Sequence, residues 1–98
     1  MIEVSRTDEF SRWLRGLRDQ QAKARILDRL DRLSEGNPGD VEPIGEGICE
    51  LRFHFGPGYR VYFKQQASQP ILILWGGDKD SQERDIAKAK KLANEYQE

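Results

Sequence analysis

The residues best suited to chemistry lie between Arg52 and Lys79. The stretch FHFGPGYRVYF, residues 53–63, contains the single histidine of the chain, His54, together with Arg60. Arg52 precedes this stretch, and Lys79 follows a pair of glycines further along. Arginine and lysine stabilise negative charge on a phosphate, and histidine exchanges a proton near neutral pH. These four residues therefore indicate a site for an anionic, phosphate-bearing ligand.

The charge pattern supports a local rather than a global attraction for anions. The chain of 98 residues has a formal net charge of −1, which does not suit a uniformly basic nucleic-acid binder. Residues 51–77, however, contain no Asp or Glu and carry Arg52, Arg60 and Lys64. The window without acids coincides with the candidate residues, so we expect an anionic partner to bind there.

Metal and disulfide chemistry are not indicated. Cys49 and His54 are the only residues of their types, whereas an internal disulfide needs two cysteines and an ordinary zinc site several Cys or His ligands. Asp78 and Asp80 flank Lys79, but two carboxylates without further clustered ligands are weak evidence for a metal. We therefore expect no metal and no other cofactor, and we interpret Cys49 as a small buried side chain.

Apolar periodicity predicts the elements that must position these residues. Thr7 is a plausible N-cap of a first helix, and Asp80 of the last helix, where Glu83 would complete a capping box. The predicted elements are strands over 1–5, 48–55, 59–65 and 71–75, with helices from about residue 8, over 20–35 and from about residue 81. This β-α-α-β-β-β-α order predicts a single α+β domain over residues 1–98, with helices packed on a mainly antiparallel sheet.

The predicted hairpin divides its side chains between two faces. A three-residue loop over 56–58 would place His54 opposite Arg60 and Glu50 opposite Lys64. Strand side chains alternate, so the apolar residues would face the core and one polar set would face solvent. That set comprises Glu50, Arg52, His54, Arg60, Tyr62 and Lys64. Two interpretations remain open: an ordinary solvated face with a Glu50–Lys64 ion pair, or a surface whose unpaired cations hold an anion.

Two segments resemble a known family. CELRFHFGPGYRVYF and LILWGGDKDSQERDIAKAK are similar to the RelE/HigB-like toxins of bacterial type II toxin–antitoxin modules, within the RelE/ParE superfamily. The resemblance implies a ribosome-dependent mRNA endonuclease that uses no metal and is neutralised by a cognate antitoxin, typically of the helix-turn-helix type. By position it implies catalytic roles for Arg52, His54, Arg60 and Lys79. We further expect RNA contacts from Tyr62 and Lys64.

The residue types suit metal-free RNA cleavage. The 2′-OH attacks the neighbouring phosphate, so the reaction needs a base, cations that stabilise the transition state and a proton for the leaving 5′ oxygen. His54 is the best candidate for general base or acid. One departure is that the RelE type has a tyrosine near the start of its last helix, where this chain has residues 83–86, Glu-Arg-Asp-Ile.

Two other functions fit the same family resemblance. One is a ParE-like toxin that inhibits DNA gyrase and cleaves no RNA, and the other is a catalytically inactive module that only binds its antitoxin. The longest wholly apolar run, Ile71–Trp75, is far shorter than a membrane span, and residues 1–4 do not resemble a secretory signal. We therefore expect a cytoplasmic protein with no membrane contact, whose partners are the antitoxin, the ribosome and mRNA.

Overall fold

The computed structural model describes residues 2–65 and 70–96, which form three helices and one five-stranded sheet. Met1, which begins the predicted first strand, lies outside the described residues. In chain order the elements are β1 (Val4–Arg6), α1 (Asp8–Arg15), α2 (Gln20–Ser34), β2 (Val41–Gly45), β3 (Ile48–Arg52), β4 (Arg60–Lys64), β5 (Ile71–Gly77) and α3 (Gln82–Glu95). All the predicted elements are present, and β2 is an additional strand.

The sheet has the strand order β1-β5-β4-β3-β2. Strand β1 runs parallel to β5, and the other neighbouring pairs are antiparallel. The predicted α+β class with a mainly antiparallel sheet is therefore confirmed. β5 lies inside the sheet, as its apolar sequence on both faces predicts.

Helices cover both faces of the sheet. Helices α1 and α2 pack on one face, where Phe10 and Ile26 contribute to a core cluster that also includes Val61 and Phe63. Helix α3 packs on the other face, where a second cluster contains Ile48, Tyr62, Leu74, Ala89, Leu92 and Ala93. Neighbouring residues of β4 thus enter opposite cores, as strand alternation requires. The face predicted to meet solvent is covered in its centre by α3, so that part of the prediction is wrong.

The predicted start of α1 is confirmed, and that of α3 is wrong. The Thr7 hydroxyl accepts a hydrogen bond from the Phe10 amide at 3.0 Å and donates to the Leu74 carbonyl at 2.8 Å, which ties α1 to β5. Helix α3 begins one residue later than expected, because its N-cap is Ser81 rather than Asp80. The turn before it is closed by Asp78, whose side chain accepts a hydrogen bond from the Ser81 amide at 3.1 Å.

Strand β2 was not predicted because its sequence lacks strand alternation. It contains Pro43 and ends at Gly45, and the pairing with β3 is irregular between these two residues. Proline is tolerated at the edge of a sheet, where its missing N–H costs no ladder bond. β2 is such an edge strand, and it brings Asp40 and Glu42 beside Arg52.

The β3–β4 register differs from the predicted hairpin by two residues. Arg52 lies opposite Arg60, Glu50 opposite Tyr62 and Ile48 opposite Lys64, so the expected His54–Arg60 and Glu50–Lys64 pairs are wrong. A shift of two preserves the division between faces. The strands end early because the connection runs over residues 53–59, which turn with positive φ at Gly56 and Gly58.

Candidate functional site

Three of the predicted catalytic residues line one concavity. His54, Arg60 and Lys79 surround a space of about 690 Å³ between the connection 53–59 and the turn before α3. The Lys79 amide donates to the Pro57 carbonyl at 3.4 Å, which joins these two segments. We call this space the cationic concavity. Residues that are distant in sequence therefore meet at one end of the sheet.

His54 projects from the connection into solvent. Its side chain is 72% exposed, and its Nε2 lies 2.5 Å from Oδ2 of Asp40. An ionised carboxylate only accepts hydrogen bonds, so Nε2 carries the hydrogen and donates it. Within residues 2–65 and 70–96, Nδ1 makes no hydrogen bond. One ring nitrogen is thus held by the protein, and the other is accessible to a ligand.

Asp40 joins His54 to Arg52. Its Oδ1 accepts hydrogen bonds from Arg52 Nη2 at 3.2 Å and Nε at 3.4 Å, while Oδ2 contacts His54. The hydrogen bond from His54, followed by that from Arg52, lowers the pKa of the Asp40 carboxyl. The carboxylate therefore remains ionised at neutral pH. Sequence reasoning missed Asp40 because it precedes a strand that the pattern did not reveal.

Arg52 is not the unpaired cation that one of the two sequence interpretations required. Besides Asp40, it contacts Glu42, with Nη1 2.8 Å from Oε2. Arg52 lines a neighbouring groove of about 430 Å³ rather than the cationic concavity, and His54 borders both spaces. Two carboxylates from the β2 segment thus offset the Arg52 charge.

Arg29 of α2 fixes the backbone of Asp40 and Arg52, whose side chains contact each other. Its guanidinium donates to the carbonyls of Pro38 at 3.1 Å, Asp40 at 3.0 Å and Arg52 at 3.0 Å. It also stacks over the Phe53 ring at 4.5 Å from the ring centroid. Arg29 therefore holds the start of β2 against the end of β3. The sequence indicated only a charged helix residue at this position.

Arg60 borders the cationic concavity but is buried. The residue is only 8% exposed, and its Nη1 donates to the carbonyls of Gly58 at 3.0 Å and Tyr59 at 3.1 Å. Its Nε is buried without a hydrogen-bond partner among the described residues. The expected position on an open solvent face is wrong, because the turn 56–58, whose Gly58 carbonyl accepts a hydrogen bond from the guanidinium, lies against this end of β4. Replacing Arg60 would disturb the connection as well as the charge.

Tyr62 and Lys64 lie outside the concavity. Tyr62 is 0% exposed beneath α3, and burial, followed by the Glu50 charge, raises the pKa of its hydroxyl. Its expected exposure is wrong, and a ring covered on both sides does not stack on a base. Lys64 is half-buried at the opposite end of β4 from Arg60. Its contact with RNA stays a prediction that this geometry does not join to the concavity.

The cations of the concavity have no acidic neighbours in contact. Within the described ranges, no carboxylate oxygen lies within 4.0 Å of a side-chain nitrogen of Arg60 or Lys79. The same ranges contain no group of three or more His, Cys, Asp or Glu that could hold a metal. None of the described helices is long and apolar enough to cross a membrane. Asp80 also lines the concavity but pairs with neither cation, so two cations and one carboxylate leave an excess of positive charge that an anion would neutralise.

Comparisons with known proteins assign the chain to a family. An uncharacterized protein of Haemophilus influenzae (strain ATCC 51907 / DSM 11121 / KW20 / Rd) is 46% identical over 94 residues, which cover 96% of this chain and 95% of the relative. No solved structure gives a significant match. The family described as Phage derived protein Gp49-like (DUF891) matches residues 12–97, a range that includes every residue of the concavity. This family is toxin-like and RelE-related, and it occurs in toxin–antitoxin systems. The chain therefore belongs to the Gp49-like family.

Proposed function

We propose that the protein is the toxin of a toxin–antitoxin module and acts as a metal-free, ribosome-dependent mRNA endonuclease. The observation that carries the proposal is the cationic concavity. There, Arg60 and Lys79 lie beside His54, and Asp40 holds one nitrogen of the His54 ring. A cognate antitoxin, expected to be of the helix-turn-helix type, would neutralise the toxin in the cytoplasm.

Each residue suits one part of the cleavage reaction. Nδ1 of His54 takes the proton of a 2′-OH, whose oxygen then forms a bond to the neighbouring phosphorus. Lys79 and Arg60 stabilise the negative charge that accumulates on the phosphate oxygens. The bond from phosphorus to the 5′ oxygen breaks, and that oxygen takes a proton from water. The products are a 2′,3′-cyclic phosphate and a free 5′-hydroxyl.

The exposure of His54 favours this function over protein binding alone. A histidine that serves only to support a protein–protein surface needs no carboxylate on one nitrogen and free access to the other. Here the exposed ring borders two cations without carboxylate partners among the described residues. A gyrase inhibitor of the same fold would not require this combination.

Expression of the protein alone in cells, followed by mapping of mRNA 5′ ends, tests the proposal. We expect new 5′-hydroxyl ends inside translated reading frames, and we expect them to disappear when translation is blocked beforehand. Lys79→Ala should reduce cleavage about 10²-fold or more, as expected for loss of a charge that stabilises the transition state. Lys91→Ala is the matched control, since Lys91 is an exposed lysine on α3 and does not border the concavity.

Two results would contradict the proposal. Intact mRNA together with DNA damage would indicate gyrase inhibition. Equal cleavage by the Lys79→Ala and Lys91→Ala variants would show that the concavity is not where the phosphate binds.

A further inference from the structure

We infer that Asp40 is a positioning residue that holds His54 through Nε2 and thereby makes Nδ1 the reacting nitrogen. The inference rests on the proposed endonuclease function, but the tautomer of the His54 ring can be measured without any RNA. Asp40 does not touch the concavity itself, since it lines the neighbouring groove. It would therefore act through His54 rather than on the substrate.

The contact selects one tautomer of the histidine. A neutral imidazole has one N–H and one lone pair, and the N–H must lie at the nitrogen that faces an ionised carboxylate. Nε2 is that nitrogen, at 2.5 Å from Asp40 Oδ2. The lone pair is consequently on Nδ1, where a general base must have it to accept the proton of a 2′-OH.

Asp40 is held both by its side chain and by its backbone carbonyl. Its Oδ1 accepts from the Arg52 guanidinium, and its backbone carbonyl accepts from the Arg52 amide at 3.0 Å and from Arg29 Nη2 at 3.0 Å. The backbone bonds do not involve the carboxylate. Removing the carboxylate should therefore leave the segment in place while it releases the histidine ring.

Other charged groups line the same two spaces as His54 but, among the described residues, do not hydrogen-bond its ring. Arg25, Asp28, Arg29 and Arg52 share the neighbouring groove with it, and Arg60, Lys79 and Asp80 share the cationic concavity. Within the described part of the chain, Asp40 is the one residue that hydrogen-bonds a ring nitrogen of His54. The tautomer preference is thus assigned to Asp40 and not to the general field of these charges.

Nitrogen NMR of the histidine ring tests the inference directly. The chain contains one histidine, so ¹⁵N-labelled histidine gives signals from His54 alone. For the neutral ring we expect Nε2 in the protonated and Nδ1 in the unprotonated range of chemical shift. In Asp40→Ala the two values should move towards each other, because both tautomers become populated.

Glu42→Ala is the control variant. Glu42 also contacts Arg52, but it makes no contact with His54. This variant removes a carboxylate from the same segment and should leave the ring signals as in the wild type. Backbone amide spectra of both variants would establish that they are folded.

Cleavage provides the second measurement. Asp40→Ala should cut mRNA about 10- to 100-fold more slowly, a smaller loss than the 10²–10⁴-fold contribution typical of a general base itself. Ring signals that are unchanged in Asp40→Ala, or a wild-type ring protonated on Nδ1, would overturn the inference. A wild-type protein that shows the expected tautomer but cuts no mRNA would instead refute the proposed function, and with it the catalytic purpose of the contact.

Discussion

Replacement of Arg29 by lysine should destabilise the protein and loosen the candidate site at the same time. The guanidinium binds three backbone carbonyls in two segments: Pro38 and Asp40 before β2, and Arg52 at the end of β3. Lysine keeps the positive charge, but its single nitrogen cannot reach all three oxygens in the plane that arginine provides. The exchange therefore removes hydrogen bonds to the carbonyls while it keeps the positive charge.

The size of the effect follows from the bonds that are lost. A hydrogen bond to a charged group contributes about 1.5–3 kcal/mol. If lysine preserves one of the three bonds, two are lost, and because Arg29 is half-buried, water replaces part of each. We therefore take the lower value for each bond and expect a loss of about 3 kcal/mol in the free energy of unfolding. For a domain of this size this corresponds to a decrease in Tm of roughly 12–24 °C.

Urea denaturation at equilibrium would measure the loss, with Arg25→Lys as the matched control. Arg25 is also on α2 and stacks over Phe55 at 4.7 Å, but within the described ranges its side chain donates no hydrogen bond to a carbonyl. We expect Arg25→Lys to cost less than about 1 kcal/mol, as for an exposed surface substitution. The ring spectrum of His54 should change in Arg29→Lys and remain constant in Arg25→Lys. Equal stability of the two variants would refute the assigned role of Arg29.

Two further substitutions test the core under α1 and α2 and the packing of α3 on the end of β5. Phe53→Ala should lower the free energy of unfolding by about 3–5 kcal/mol, because it truncates a core aromatic residue that is 2% exposed. A loss below about 1 kcal/mol in urea denaturation would show that the Phe53 side chain does not lie in this core. Gly77→Ala should also destabilise, by about 1–3 kcal/mol or more, because the added methyl group would overlap the Asp85 carboxylate. That carboxylate accepts hydrogen bonds from Trp75 Nε1 and from Ser81. An unchanged Tm for Gly77→Ala would show that Asp85 of α3 does not lie against the backbone of Gly77.

The local signals in the sequence were sufficient for most of the fold. Thr7 caps α1 as predicted, and the apolar stripes of α1 and α2 enter one core. Strand β2 could not be found in this way because Pro43 and the glycines of its segment suppress the alternation on which strand prediction depends. The pairing with β3, rather than local preference, maintains this strand.

The missing strand explains the largest error about the site. Residues 51–77 contain no acid, and one of the two interpretations of this window treated its cations as unpaired. A charge window in the sequence does not include the residues that a neighbouring strand contributes. Once β2 is in place, Asp40 and Glu42 neutralise Arg52, and Asp40 also holds His54.

The position of α3 explains the error about Tyr62. Strand alternation correctly placed Tyr62 on the face opposite Val61 and Phe63, but alternation does not indicate which faces are covered. A stronger indication was available in β5, which is apolar on both faces and therefore requires packing on both. The apolar stripe of the last helix had to pack on one face, and α1 and α2 already occupy the other.

The uneven compensation of charge around His54 determines how we expect a phosphate to approach. On one side, Arg52 is bound to Asp40 and Glu42, so an incoming phosphate would have to displace two carboxylates and would be repelled by them. On the other side, Arg60 and Lys79 contact no carboxylate within residues 2–65 and 70–96. The phosphate should therefore bind on the Lys79 side of the histidine, with the attacking 2′-OH near Nδ1. Under the proposed function, Arg52 would then contribute by fixing Asp40 and not by binding the phosphate, which differs from the role that the family resemblance implies.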